Sequence, residues 1–264
     1  VTDELNVLVA DLVDEQRSLD GLVNAATSEQ WLAPTPSVGW CVADQIGHLA
    51  YFDRRAATAI TEPERFAVDV ADLIAGATKF GLDEFTLAPY RALSSHELLD
   101  EWSQSRDALE VASVTLDRRQ RVPWYGPPMS ATSFLGARLM ETWAHGTDVA
   151  NALELALPAT DRLRHVARLG YKTRAWSYRV RGETPPEGEV RVDLLGPGGD
   201  RWTFGPEDAA DTVEGSAEEF CLVVTQRRHV ADTSLATTEL GYHWLVRAQA
   251  FAGAPSDGPR PRSG

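Results

Sequence analysis

The sequence predicts an α+β, mostly α protein: a four-helix bundle over residues 1–158, a small α+β domain over residues 159–252 and a disordered tail over residues 253–264. Three observations predict it. Apolar residues recur at a helical period through much of the first 158 residues. After Pro158 a period-two alternation appears in Glu189–Leu195 and again in Arg201–Phe204, joined by the turn residues Pro197-Gly198-Gly199. The charge steps at the same place, with 11 basic and 24 acidic side chains in residues 1–158 against 14 and 15 in residues 159–264.

The elements follow in order. Leu5, Leu8, Val9, Leu12, Leu19, Leu22 and Val23 make the apolar stripe of a first helix, with Asp3, Glu4 and Asp11 on its other face. Pro34, Pro36 and Gly39 mark a loop. A second helix starts at or near Asp44 and carries Ile46, His48, Leu49, Phe52, Ala56 and Ile60. Glu62-Pro63 is expected to stop it, because the residue before proline is pushed out of the helical region. A weaker helix is expected between Val68 and Phe85. Ser94 or Ser95 caps the next one, with Glu97 or Leu98 in its first turn and Leu98, Trp102, Leu109 and Val111 as apolar positions. Val122–Met129, with three prolines and a glycine, is expected to be irregular. A long helix covers Ala131 to Leu155 and ends before Pro158. Four long helices joined by loops make an antiparallel bundle. Beyond it, Asp161–Arg179 reads as helix and the hairpin follows. Ser216 and Glu219 have capping-box spacing, and a last helix spans about Thr238 to Phe251. The tail from Gly253 is rich in Gly, Pro, Ser and Arg.

Composition excludes several functions. The formal charge is −14, and the 25 basic residues are scattered, so there is no stripe to replace the counterions of a nucleic acid. No apolar run approaches the roughly 18–20 residues of a membrane helix. The start, Val1-Thr2-Asp3-Glu4, lacks the basic-then-apolar order of a secretory signal. Cys41 and Cys221 form no Cys-x-x-Cys pair, which excludes a disulfide scaffold and a cysteine zinc ribbon. The expectation is a cytoplasmic protein with small-molecule partners, no nucleic acid and no membrane. No feature specifies an oligomeric state.

The segment from Ala131 to Leu155 carries the chemistry. Before Glu154 its only ionisable residues are Arg138, Glu141, His145 and Asp148. With Glu141 at zero, they fall at about 60°, 0°, 40° and −20° around the helix. Leu135, Leu139, Met140, Trp143, Ala144, Val149, Ala150 and Leu153 fill most of the rest. A surface helix has a broad polar face and a narrower apolar stripe. This pattern is the inverse, and predicts a helix surrounded by protein with its polar strip on an internal site. Glu141 and His145, four apart, converge on one point, where a carboxylate and an imidazole can share a divalent ion such as zinc. His48, in Gly39-Trp-Cys-Val-Ala-Asp-Gln-Ile-Gly-His48-Leu-Ala, is the candidate third ligand. The same residues also allow a metal-free arrangement, with His48 in the core and Arg138 and Asp148 in salt bridges to Glu141 and His145. His96, His165, His229 and His243 read as structural, and Cys41 as a buried inert thiol.

The pattern Gly-Trp40-x-Val-x-Asp44-x-x-x-His48-Leu, followed by Glu141-x-x-x-His145-x-x-Asp148, resembles the mycothiol-dependent maleylpyruvate isomerase family, a branch of the DinB-like metal-binding bundles. The segment Val213–Arg227 resembles that family's C-terminal α+β domain. The resemblance implies a DinB-like bundle in which His48, Glu141 and His145 bind metal, usually zinc, with mycothiol as cosubstrate. It also implies an arginine at the end of the C-terminal domain helix. Arg227 is the matching position, but Gln226 stands where family members often have glycine, and Arg228 is adjacent. The chemistry implied is a metal-bound thiolate acting on a small electrophile, by isomerisation or S-transfer, in a transferase or isomerase reaction. Asp148 and Arg138 would then orient the ligands. Arg227 would pair with a carboxylate of thiol or substrate, and Trp40, Trp124 and Tyr125 would wall the pocket, unless these rings serve ordinary loop packing. A lipid- or other small-molecule-binding protein and a zinc metallohydrolase are the competing readings. A di-iron bundle fits poorly, because it needs a second copy of the metal-ligand pair.

Overall fold

The computed structural model describes residues 3–262. It divides into two compact units, the first ending at Leu157 and the second starting at Pro158. Residues 1–2, part of the segment read for a secretory signal, and residues 263–264, the end of the expected tail, lie outside the described residues.

The first unit holds α1 (Asp3–Asn24), α2 (Val42–Thr61), α3 (Pro63–Phe80), α4 (Leu82–Arg91), α5 (Ser95–Val114), β1 (Arg121–Trp124), β2 (Gly126–Ser130) and α6 (Ala131–Ala152). The four long helices α1, α2, α5 and α6 form the bundle, with α2 against α5 and α6, and α1 against both as well. Leu19, Val23, Trp31, Ile46, Leu49, Trp102, Val149 and Leu153 share its core. The fold class is α+β and mostly α, as expected.

Some local expectations hold and others need correction. Cys41, not Asp44, precedes the first turn of α2; Asp44 is the third helical residue and its carboxylate accepts from the Cys41 N–H at 3.0 Å. α2 does stop at Thr61, with Glu62 outside the helical region as Glu62-Pro63 implied, and Pro63 then occupies the first position of a new helix, α3, where its missing N–H costs nothing. The single weak helix is two, broken at Gly81, whose φ of 88° suits glycine. Ser94 and Glu97 form the reciprocal cap of α5, with Ser94 N–H to Glu97 Oε2 at 2.8 Å and Glu97 N–H to Ser94 Oγ at 3.3 Å. Val122–Met129 is not irregular: β1 and β2 pair antiparallel, Arg121 opposite Ser130. A two-stranded ribbon consists only of edges, and Pro123 sits at the register shift between Val122 and Trp124, so the prolines interrupt no central ladder. α6 ends at Ala152, before the expected Leu155, because Glu154 turns left-handed at φ 55°.

The Asp44 carboxyl makes a prediction in acid. Burial would raise its pKa, but the Arg91 guanidinium at 2.7 Å and the Cys41 N–H outweigh that and hold it below the usual range. A carboxyl lowered by folding stabilises fully above its unfolded value of about 3.9, and that contribution is lost as the pH falls through the folded value. Asp44→Asn is therefore expected to flatten the stability profile below about pH 4. Denaturant midpoints measured from pH 6 to pH 3 check this; an unchanged acid slope sinks it.

The second unit holds α7 (Leu163–Lys172), α8 (Arg174–Arg179), β3 (Val190–Leu195), β4 (Arg201–Phe204), β5 (Asp211–Ser216), α9 (Ala217–Val224), β6 (Ala236–Thr237) and α10 (Glu239–Leu245). Its sheet has the order β4-β3-β5-β6, with β3 and β5 parallel and the other pairs antiparallel. The expected helix over Asp161–Arg179 is interrupted at Thr173, whose hydroxyl bonds back to the Leu169 carbonyl at 2.9 Å. Ser216 occupies the cap of α9 without a side-chain bond, and Glu219 instead accepts from the Ser234 N–H at 3.0 Å. The last helix is shorter than expected, ending at Leu245. Residues 253–262 hold no helix or strand; Gln226 Nε2 donates to the Ser256 carbonyl at 2.7 Å and the Arg262 N–H to Asp232 at 3.0 Å. Among the described residues no helix is long and apolar enough to cross a membrane.

Candidate metal centre

Two helices build the site. Gln45 and His48 of α2 face His145 and Glu141 of α6. α6 is enclosed on most sides, with Leu135, Leu139, Met140, Trp143, Ala144 and Val149 all buried, so its polar strip is internal. His48 Nε2 lies 3.4 Å and His145 Nε2 3.1 Å from the same oxygen, Oε2 of Glu141. One ligand atom from each of the three falls within 4.8 Å of the others. The imidazole centroids are 4.4 Å apart. Ligands arranged tetrahedrally at about 2.0–2.1 Å from a zinc-sized ion are themselves about 3.3 Å apart, close to both nitrogen–oxygen separations. Two imidazoles and a carboxylate are also the donor set that borderline divalent metals accept. The residues therefore fit a divalent cation.

Burial would raise the Glu141 carboxyl, but the hydrogen bonds and charges of His145 and His48 hold it well below the ordinary carboxylate range. The group is an anion, as a metal ligand must be.

Gln45 was not found by sequence reasoning. It is fully buried; its Nε2 donates to Thr35 Oγ1 at 2.8 Å, which aims Oε1 at His145 Nδ1. An amide oxygen only accepts, so Nδ1 carries a proton, and Nε2 is the nitrogen left to offer a lone pair to a bound ion. The available signal was spacing: Gln45 precedes His48 by three residues and shares its face of α2. Gln45→Met is expected to weaken metal binding by about 10–100-fold. Calorimetric titration of the variant with Zn2+ checks this, and wild-type affinity refutes it.

Trp40 stands beside both histidines, its ring 5.3 Å from that of His48 and 6.0 Å from that of His145, nearly parallel to the latter at 15°. Its Nε1 donates to Asp83 at 2.9 Å, fixing the indole as a wall. Trp124 and Tyr125 reach the site through Phe52, which lies 4.6 Å from His48. Trp124 also stacks on Phe66 at 5.5 Å. The Tyr125 hydroxyl is buried with no hydrogen-bond partner among the described residues, and burial pushes its pKa up.

Arg138 bonds to Asp53 and not directly to Glu141. It is 3% exposed and donates to Asp53 through Nε at 3.0 Å and Nη2 at 2.8 Å. The buried Asp148 accepts from Ser37 Oγ at 3.2 Å. In the second unit, Gln226 adopts φ 60°, the left-handed geometry that favours glycine, and its amide donates to the Ala248 carbonyl at 2.9 Å. Arg227 follows it and donates to the Thr225 carbonyl at 2.7 Å, while Arg228 pairs with Glu219 at 3.7 Å. His243 bonds Tyr178 at 2.9 Å and His229 accepts from the Ala231 N–H at 3.1 Å. His96 has an acidic partner that sequence reasoning passed over, Asp100 at 3.3 Å on the surface. Burial raises both thiols, Cys221 strongly; Cys41 is only half-buried, not buried as expected.

Residues 12–150, more than half of the chain and inclusive of all three ligand candidates, match the family described as mycothiol maleylpyruvate isomerase N-terminal domain. The chain belongs to the mycothiol maleylpyruvate isomerase family. In this member the C-terminal unit matches a second family, described as wyosine base formation, over residues 186–238. Two uncharacterized proteins of Mycobacterium tuberculosis, from strains CDC 1551 and H37Rv, are each 45% identical to it over 251 residues, covering 95% of this chain and 97% of theirs. The crystal structure of a mycothiol-dependent maleylpyruvate isomerase aligns with a TM-score of 0.57 at 17% identity over 96% of both chains. A histidine-to-alanine mutant of that enzyme aligns with the same score at 16% identity. At such identity the likeness is one of fold.

Proposed function

We propose that this protein is a metal-dependent enzyme that uses a low-molecular-weight thiol, mycothiol, for isomerisation of or S-transfer to a small electrophile. The single observation that carries the reading is the convergence of His48, Glu141 and His145 on one point. A divalent ion held there, zinc by proposal, would supply the charge that keeps a bound thiol deprotonated and nucleophilic. The protein's own groups do the rest. His48, Glu141 and His145 hold the ion, and Gln45 fixes the His145 tautomer. Trp40 excludes water from one side of the imidazoles. Asp148, three residues past His145 on α6, is the proposed supporting acid, and Arg227 the proposed partner of a carboxylate on thiol or electrophile. No protein cysteine is required, in keeping with the raised thiols of Cys41 and Cys221.

Hydrolysis is the weaker reading. It needs a free general base, and of the two candidates for that role Asp44 is committed to Arg91 and the Cys41 N–H, while Asp148 accepts from Ser37 Oγ. The test is elemental analysis of the wild type and of His48→Ala, Glu141→Ala and His145→Ala, with turnover of maleylpyruvate measured with and without mycothiol. The expected result is metal in the wild type, its loss in each variant, and turnover only with thiol. Full metal retention by the single variants ends the proposal.

A further inference from the structure

Asp53 lies on α2 five residues beyond His48 and has no solvent exposure. Each of the other three long helices donates to it. Oδ1 accepts both Arg138 bonds from α6, at 3.0 and 2.8 Å. Oδ2 accepts from Gln16 Nε2 of α1 and from Trp102 Nε1 of α5, each at 3.3 Å. The four acceptor positions of the carboxylate are thereby filled. Arg138 precedes Glu141 by three residues on α6.

Gln45 to His145, His48 to Glu141 and Asp53 to Arg138 are successive ties in one antiparallel register of α2 against α6. These two helices supply all three proposed ligands, so their axial offset sets the ligand separations. The first two ties are made by the ligands themselves. The third is independent of them. At 1.5 Å per residue, Asp53 sits about 7.5 Å along α2 from His48, and Arg138 about 4.5 Å along α6 from Glu141. The arginine stem spans the difference, and two N–H groups of its planar fork converge on one carboxylate oxygen. The hydrophobic drive that joins the helices has no direction of its own, whereas hydrogen bonds to a fixed oxygen do. A site, by contrast, tolerates only about 0.5 Å of displacement, less than the 1.5 Å of a one-residue slip.

We propose that Asp53 and Arg138 are positioning residues that fix the register of α2 on α6 and so the geometry of the His48–Glu141–His145 centre. This rests on the reading of that cluster as a metal site. The paired neutral variant Asp53→Asn/Arg138→Met separates positioning from stability, because it strands no buried charge and leaves an amide oxygen at position 53 to accept from Gln16 and Trp102. Wild type and variant are titrated with Co2+, reading affinity and the visible absorption of the bound ion, with circular dichroism and thermal midpoint alongside. The expected result is a folded variant of near wild-type midpoint, with Co2+ affinity lower by about 10–100-fold and an altered absorption band. Should the pair fail to fold, Arg138→Lys keeps the charge but loses the fork, and a smaller loss of the same sign is expected. Wild-type affinity and spectrum in a folded variant overturn the proposal. Failure of the wild type to bind Co2+ overturns the metal reading itself, and the positioning role with it.

Discussion

Glu141→Gln is expected to cut metal affinity by at least about 100-fold and to bring thiol-dependent turnover below about 1% of wild type, more than removal of a supporting group costs. The carboxylate oxygen Oε2 is the shared point on which both histidine nitrogens converge, at 3.4 and 3.1 Å. Glutamine keeps the shape and loses the charge. A neutral amide is a poor ligand for a divalent ion, and it no longer balances the positive centre it faces. The fold is expected to survive, because the side chain is 21% exposed and the change removes a half-buried charge instead of stranding one. Circular dichroism should therefore match the wild type while Zn2+ titration does not. A glutamine variant that binds Zn2+ as tightly as the wild type removes Glu141 from the site.

Arg138→Met alone is expected to destabilise the protein by about 3–5 kcal/mol, the usual result of stranding one partner of a buried pair. Methionine fills much of the space of the arginine stem, so the loss is electrostatic more than steric. What remains is the Asp53 carboxylate at zero exposure, with only Gln16 and Trp102, each at 3.3 Å, to solvate it. Chemical denaturation of wild type and variant measures the difference. A loss under about 1 kcal/mol, the range of an exposed pair, means that Asp53 finds other partners or takes up a proton. The single and paired variants should thus diverge: the single one loses stability, and the paired one keeps it.

What the sequence determined by itself is what runs along one element. The inverted helix was readable because Arg138, Glu141, His145 and Asp148 occupy one strip among apolar neighbours, and that pattern needs only the helical period. The α5 cap was readable because Ser94 and Glu97 satisfy each other locally. His48 was found through the order of its motif around Trp40 and Asp44, with no help from contacts. Tertiary structure decided the rest. The prolines of Val122–Met129 suggested an irregular backbone, yet a hairpin made only of edges tolerates them. The internal strand β5 and the edge strand β6 escaped notice because Asp211–Ser216 buries a single apolar side chain, Val213, and Ala236–Thr237 is two residues long. Gln45 and Asp53 carry no pattern of their own. Their roles come from partners 100 and 85 residues away, and such pairs exist only once two helices have chosen a register. Periodicity fixes which face of a helix is buried. Which side chain of the neighbouring helix that face meets depends on the packing of whole helices, and no short-range spacing encodes it.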